Sequence, residues 1–96
     1  MLLALTVAGL VAGLSFDARA ESEQRCREYT TRAIADYQQL RNIPKCSKLR
    51  PEDTVRWHPQ YKRHFDWCLT AKAAWLVDEN QKRDKLLVSC GGRSTL

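Results

Sequence analysis

The sequence predicts an all-α protein: a small antiparallel helical hairpin or three-helix domain, stapled by two disulfides and preceded by a signal peptide. Three observations predict this fold class. The first residues resemble an export signal, apolar residues then recur at three- and four-residue steps, and the chain contains four cysteines. Because so small a domain buries too little surface for a large hydrophobic core, we expect disulfides to supply much of its stability.

Residues 1–20 have the pattern of a secretory signal peptide. Residues 2–14 form an apolar run, which leads to the A-x-A pattern of a cleavage site at residues 18–20. A membrane span needs about 20 apolar residues, so a removable signal is favoured over an uncleaved membrane anchor. No Lys or Arg precedes the run, so either the signal is weak or the true start lies upstream. We expect a secreted or periplasmic protein with a domain at residues 21–92 and a flexible tail at 93–96.

Residues 21–41 predict one long helix. Ser22 suits the N-cap position, and apolar or small residues then recur at helical spacing. The expected buried stripe is Cys26, Tyr29, Ala33, Tyr37 and Leu40, whereas Arg25, Arg32, Asp36 and Gln39 are expected to be solvated. The helix should end before Pro44, because proline disfavours helical geometry in the residue that precedes it.

The remaining sequence predicts a connection, a short helix and a second long helix. Residues 45–57 have no convincing period and contain at most one turn, near Pro51. Pro59 suits the first position of a short helix, where its missing N–H needs no partner. A break near Thr70 separates that helix from a long one that ends at Gly91-Gly92, and one bent helix from residue 59 to 90 is the alternative. The expected buried stripe of the last helix is Trp75, Glu79, Arg83, Leu86 and Cys90.

All four cysteines follow the predicted cleavage site, so we expect two disulfides. Gaps of about twenty residues argue against zinc, whose cysteine ligands come in closely spaced pairs. Cys26 and Cys46 flank a long helix, which places them too far apart to bond. If the two long helices pack antiparallel, the pairing is Cys26–Cys90 with Cys46–Cys68. The alternative is Cys26–Cys68 with Cys46–Cys90.

The segment RHFDWC, residues 63–68, contains side chains from which a reactive site could be built. His64 and Cys68 stand one helical turn apart, like a thiol nucleophile and its base, but an oxidised Cys68 would exclude that role. His58, His64 and Asp66 could ligate zinc or copper, yet the histidine spacing does not place both rings on one helical face. We therefore predict a packing role for His64 and expect no catalytic residue, no metal site and no cofactor.

Glu79 and Arg83 predict a structural polar network, to which His64 also belongs. Glu79 and Arg83 are i, i+4 partners on the expected inward stripe, where an acid before a base supports a helix. A buried charge is costly without further partners, so Tyr29, Gln38 or a backbone carbonyl should complete the network. A polar ligand pocket is the alternative role.

Basic residues around the connection and the short helix form a candidate partner surface. Trp67 joins them because it falls off the expected buried stripe, and Trp and Arg are enriched in interface hot spots. The surface comprises Trp67, Lys48, Arg50, Arg56, Lys62 and Arg63. Plain solvation of the charges is the alternative explanation.

The net charge of +5 favours acidic or anionic partners. We expect a protein partner in the cell envelope and, as the alternative, an anionic surface such as lipid or lipopolysaccharide. Export makes a nucleic-acid partner unexpected, and after cleavage the chain should not be an integral membrane protein. The prediction is therefore a non-catalytic binding module, with a metal-binding or thiol-dependent enzyme as a distant alternative.

The order of cysteine, aromatic and charged residues resembles a motif of small exported bacterial proteins of unknown function. The motif reads C-x2-Y-T…Q…C…R-W…H-x2-W-C…E-x3-R…L-x3-C. The matching residues are Cys26, Tyr29, Gln38, Cys46, Trp57, His64, Trp67, Cys68, Glu79, Arg83 and Cys90. Those proteins often have a glycine-rich turn where this chain has the longer, charged segment 47–56. The resemblance implies a disulfide-bonded helical module and no known activity.

Overall fold

The computed structural model describes the backbone of residues 2–92 and the side chains of residues 18–92. The helices are α1 (Leu2–Asn42), α2 (Pro44–Ser47), α3 (Tyr61–Thr70) and α4 (Ala73–Ser89). No strand occurs in residues 2–92, which confirms the predicted all-α class. Most side chains of the predicted signal peptide, and the predicted tail at 93–96, lie outside the described residues. Within the described part of the chain, no helix combines the length and apolar character needed to cross a membrane.

The ends of the helices lie near the predicted positions, but the predicted start of the first helix is wrong: α1 is continuous from Leu2, so Ser22 lies inside it rather than at an N-cap. α1 stops at Asn42, two residues before Pro44, and that proline occupies the first turn of α2. α3 begins at Tyr61 rather than at Pro59, because Gln60 still has extended geometry. The predicted break near Thr70 is confirmed, since extended residues Ala71 and Lys72 separate α3 from α4.

The predicted glycine stop of α4 is confirmed and has the geometry of a Schellman motif. The N–H of Gly92 donates to the carbonyl of Leu87, and the N–H of Gly91 donates to the carbonyl of Val88. Gly91 has a φ of 94°, a conformation that L side chains rarely adopt. A Cβ on Gly92 would lie 2.9 Å from the Cβ of Leu87, which is too close for an ordinary contact. Backbone conformation at Gly91 and close packing at Gly92 therefore favour glycine.

The buried face of α1 is the surface on which the shorter helices pack. α2, α3 and α4 all contact it, and its buried apolar residues include Cys26, Tyr29, Ala33 and Leu40. Two clusters result. The first contains Leu40, Cys46, Trp57, Leu87 and Cys90, and the second contains Cys26, Tyr29, Cys68 and Leu76. Each cluster therefore surrounds one pair of cysteines.

The disulfides are Cys26–Cys68 and Cys46–Cys90, with Cα–Cα distances of 5.5 and 5.0 Å. The predicted pairing Cys26–Cys90 with Cys46–Cys68 is therefore wrong, and the alternative is the one observed. The error has a physical cause: the chain reverses direction between α3 and α4. α3 runs antiparallel to α1 and brings Cys68 back to Cys26, after which α4 returns to the opposite end.

Each disulfide closes a loop of more than forty residues, with sequence separations of 42 and 44. By the chain-entropy account, a loop of this length is worth about 4 kcal/mol. That amount is comparable with the whole stability of a small domain, about 5–15 kcal/mol. We therefore expect both bonds to be needed for a stable fold.

A non-reducing tryptic digest tests this connectivity, because Lys and Arg separate all four cysteines. We expect the peptide of residues 64–72 to be linked to residues 26–27, and the peptide of residues 86–93 to be linked to residues 46–48. Mass spectrometry before and after reduction would identify both pairs. A linked pair of 26–27 with 86–93 would contradict the observed arrangement of helices.

Candidate functional site

A network of buried charges joins α1 to α4. Asp36 and Arg83 are both fully buried, and Nε of Arg83 lies 3.6 Å from Oδ2 of Asp36. Arg32 extends the network, with Nη2 2.6 Å from Oδ2 of Asp84 and Nε 3.9 Å from Oδ2 of Asp36. The guanidinium of Arg83 also lies over the ring of Tyr29, 5.0 Å from its centroid. Two cations and two anions thus compensate each other where solvent is excluded.

The prediction that Asp36 is solvated is wrong, and the sequence contained a signal for its burial. Cys26, Tyr29, Ala33, Asp36 and Leu40 follow alternating three- and four-residue steps, the spacing of one helical face. A charged residue at a core position of such a stripe requires an opposite charge nearby. Tyr37, which was predicted to lie on the buried stripe, is only partly buried.

The residues of the predicted polar network have different partners from those expected. Arg83 pairs with Asp36 and donates from Nη2 to Asn80, 2.9 Å away. Glu79 instead receives both Nε and Nη2 of Arg56, each at 3.0 Å, in a bidentate ion pair between the connection and α4. His64 takes part in a separate contact, described next.

The rings of His58 and His64 are stacked in the interior. Their centroids lie 3.8 Å apart with an interplanar angle of 6°, and both residues are buried. Nε2 of His64 donates to the backbone carbonyl of His58 at 2.9 Å, and the N–H of Gln60 donates to Nδ1 of His58 at 3.2 Å. These bonds suit two neutral imidazoles, each with its proton on Nε2. The stack holds the connection against α3.

The environment of the stack disfavours protonation. Burial, then the neighbouring His64 and Arg63, lower the pKa of His58 from 6.5 to about 4, against a hydrogen bond that the ring donates to the Val55 backbone and that raises it. Burial also lowers the pKa of His64, with Arg83 and Arg63 acting in the same direction. Two protonated rings at stacking distance would repel each other, so protonation of both rings is disfavoured.

A cavity of about 560 Å³ lies beside this stack. Four groups of side chains line it: the aromatic rings of Tyr29 and Trp67, the stacked histidines, the aliphatic Val55, and charged residues from the connection, α3 and α4. The complete lining is Tyr29, Asp53, Val55, Arg56, His58, Arg63, His64, Asp66, Trp67 and Glu79. Its volume is within the range of small-ligand sites, about 300–1,000 Å³. Four residues of the quoted sequence motif, Tyr29, His64, Trp67 and Glu79, therefore converge on one cavity.

Asp53 shapes the connection at the edge of this cavity. Its Oδ1 accepts the backbone N–H groups of Val55 and Arg56 at 3.1 and 2.9 Å, which closes a local turn. Its Oδ2 lies 3.1 Å from Nη1 of Arg56. The same arginine binds Glu79 on α4, so the turn, the connection and the last helix are joined through one side chain.

The residues of the predicted partner surface lie in different surroundings. Trp67 is half-buried and tilted against Tyr29, with ring centroids 5.6 Å apart, so it lines the cavity rather than projecting freely. Arg56 and Lys62 are in ion pairs with Glu79 and Asp66, respectively. Arg63 is exposed at the cavity. Lys48 and Arg50 are exposed farther along the connection, where Arg50 lines a smaller cavity of about 260 Å³.

Trp75 is exposed to 51%, so its predicted place on a buried stripe is wrong. The buried face of α4 contains Leu76, Arg83, Asp84 and Leu87. The helix face that points inward therefore differs from the predicted one. Arg83 belongs to both sets. Trp75 instead has the ammonium of Lys72 5.5 Å from its ring centroid.

The disulfide removes Cys68 as a candidate nucleophile. Cys68 is bonded to Cys26 and offers no thiolate to His64. Among the described side chains, no three His, Cys, Asp or Glu residues are placed to hold a metal ion. A scan of protein-family models and searches of curated proteins and solved structures found no match to this chain.

We expect the stacked histidines to make stability fall as the pH falls. Because the pKa of His58 is about 4 in the folded protein and about 6.5 when unfolded, only the unfolded state binds the proton between these values. The contribution of the neutral ring is therefore present above about pH 6.5 and lost toward about pH 4, by up to about 3 kcal/mol.

Urea unfolding from about pH 7 to pH 4 measures how the free energy of unfolding changes with pH. His58→Gln is the comparison, because carboxylates titrate in the same window. The difference between the two proteins should shrink as the pH falls. Parallel pH profiles of the two proteins would contradict the assignment of the slope to the stack.

Asp36→Asn tests the buried charge network. The substitution leaves Arg83 buried without a carboxylate beside it, so we expect a loss of about 3–5 kcal/mol in the free energy of unfolding. Asp66→Asn is the matched control, since it removes an exposed ion pair worth about 0–1 kcal/mol. Equal losses from both substitutions, measured by urea unfolding, would contradict a structural role for the network.

Proposed function

We propose that this protein is a non-catalytic binding module of the cell envelope, secreted or periplasmic, that binds a protein partner through the face containing the large cavity. The observation that carries the proposal is the convergence of Tyr29, Trp67, the histidine stack and Arg63 on one open cavity. Aromatic and arginine side chains dominate the energetics of protein interfaces.

Several features support this location and role. Two disulfides indicate an oxidising environment, which fits export. Val55, at the same cavity, is exposed to 66% although it is apolar. The connection around it is held by the histidine stack and by the Arg56–Glu79 pair. A contact face that is already ordered avoids much of the entropy that a flexible loop loses on binding.

Adhesion to an anionic surface is the second candidate function. Lys45, Lys48 and Arg50 are exposed on the stretch after α1, and the whole chain has a net charge of +5. Such adhesion would depend on exposed charges, which salt screens beyond about 8 Å at physiological ionic strength. Salt dependence therefore separates the two candidates.

Affinity capture with the oxidised full-length protein tests the proposal. We expect a defined protein from an envelope extract to be retained when the salt is raised from about 0.15 M to about 0.5 M. Val55→Asp and Arg63→Glu, both at the cavity, should reduce retention at least about tenfold, as hot-spot substitutions do. Lys85→Glu is the control, because it makes the same charge change at an exposed position of α4 outside the cavity.

Two results would contradict the proposed binding face. Retention that disappears at high salt and falls equally in Arg63→Glu and Lys85→Glu would favour surface adhesion. Retention that is unaffected by Val55→Asp and Arg63→Glu would place the contact elsewhere on the protein.

A further inference from the structure

The charges that line the large cavity differ in whether they already have partners. Arg56 is bound by Glu79 and Asp53, and these contacts raise its pKa, chiefly through the hydrogen bond to Glu79. Asp66 is paired with Lys62. Within the residues that the structure describes, Arg63 has only a neutral partner: its Nη1 donates to Oε1 of Gln60 at 3.1 Å. The lining therefore contains three carboxylates and two guanidiniums, and among the described residues Arg63 is the lining guanidinium without a carboxylate partner.

Two arginines act in the same direction on the floor of the cavity. Burial is the main cause that lowers the pKa of His64, and Arg83 and Arg63 lower it further. The stacked histidines carry no negative charge in either protonation state, so they do not neutralise Arg63.

The cavity wall beside Arg63 is apolar. The ring of Trp67 packs at a tilt against the ring of Tyr29, and Val55 contributes an exposed aliphatic side chain. A guanidinium next to an aromatic wall suits a carboxylate that is attached to an apolar neighbour, because the fork of Arg binds two carboxylate oxygens. In a protein partner, Asp or Glu beside an apolar residue has this chemistry.

We propose that this cavity receives an acidic peptide segment, whose carboxylate pairs with Arg63 and whose adjacent apolar side chain packs on Trp67. The inference rests on the proposed binding function and specifies the chemistry of the partner. It places recognition on the cavity rather than on the more exposed Lys48 and Arg50.

Three matched peptides test the proposal: acetyl-Gly-Glu-Phe-Gly-amide, the same peptide with Gln in place of Glu, and the same peptide with Lys in place of Glu. They are titrated into the oxidised full-length protein labelled with ¹⁵N, and the indole N–H of Trp67 is followed by NMR. We expect the Glu peptide to bind about tenfold more tightly than the Gln peptide, as a charge-assisted hydrogen bond predicts. The Lys peptide should bind more weakly than either.

Two variants of the lining and one control variant on α4 identify the residues responsible. Arg63→Gln should remove the difference between the Glu and Gln peptides, whereas Lys85→Gln, on the exposed surface of α4, should preserve it. Asp66→Asn removes a negative charge from the lining and should strengthen binding of the Glu peptide. Both Arg63 and Asp66 are exposed, so neither substitution is expected to unfold the protein.

The possible outcomes separate this inference from the proposed function. Equal binding of the three peptides, or preference for Lys, would overturn the inference even if envelope capture still depended on Val55 and Arg63. An unchanged Glu preference in Arg63→Gln would overturn it as well. Selective binding of the Glu peptide would support the acidic-segment site, and a failure of envelope capture in the same protein would then count only against the proposed function.

Discussion

Two covalent bonds determine how the later helices lie on α1. One joins α1 to the end of α3, and the other joins α2 to the residue that follows α4. The reversal at Ala71-Lys72 requires this pairing, because it returns the chain to opposite ends of the same α1 surface. Each bond lies within its own apolar cluster, so the covalent and hydrophobic contributions act at the same two places. Because these two clusters hold the shorter helices on α1, the surface between the clusters can include polar residues.

The space between the two clusters contains the buried charges. Asp36 and Arg83 occupy helix positions that face the interior, where a leucine pair would be the simpler choice. A buried ion pair adds little net stability compared with well-packed apolar residues, but it is satisfied in few arrangements. We suggest that it fixes the register of α4 on α1. The same guanidinium lies over Tyr29, so this register also places an aromatic wall of the cavity.

The sequence predicted those features that depend on local chemistry. The stop before Pro44, the break after Thr70 and the glycine stop after α4 follow from backbone preferences, and the structure contains all three. The predicted disulfide pairing was wrong because it depends on the direction of α4. Ala71-Lys72 contains no glycine or proline that would indicate a reversal of the chain. A helical stripe gives spacing along one helix but not the direction of the next.

The candidate site was less predictable, because four parts of the chain build it: α1, the connection, α3 and α4. His64, Trp67 and Glu79 were recognisable as chemically distinctive residues, but the partner of Glu79 is Arg56, which lies in a segment without a period. The stack of His58 on His64 likewise depends on how the connection returns to α3. No spacing rule within one helix gives either contact. Sequence could therefore identify the residue types of the cavity but not their convergence.

The connection contributes four of the ten residues that line the cavity, and Trp57 anchors it in an apolar cluster. Residues 48–60 contain no long helix, yet the Asp53 turn, the Arg56–Glu79 pair and the histidine stack hold this segment at successive points. Segments held mainly by polar contacts open at lower free energy than a disulfide-linked core. Protonation of the stack would remove one of these polar attachments, whereas Trp57 and the two disulfides would still hold the helices together. The proposed binding face therefore includes a part of the connection whose packing depends on neutral histidines.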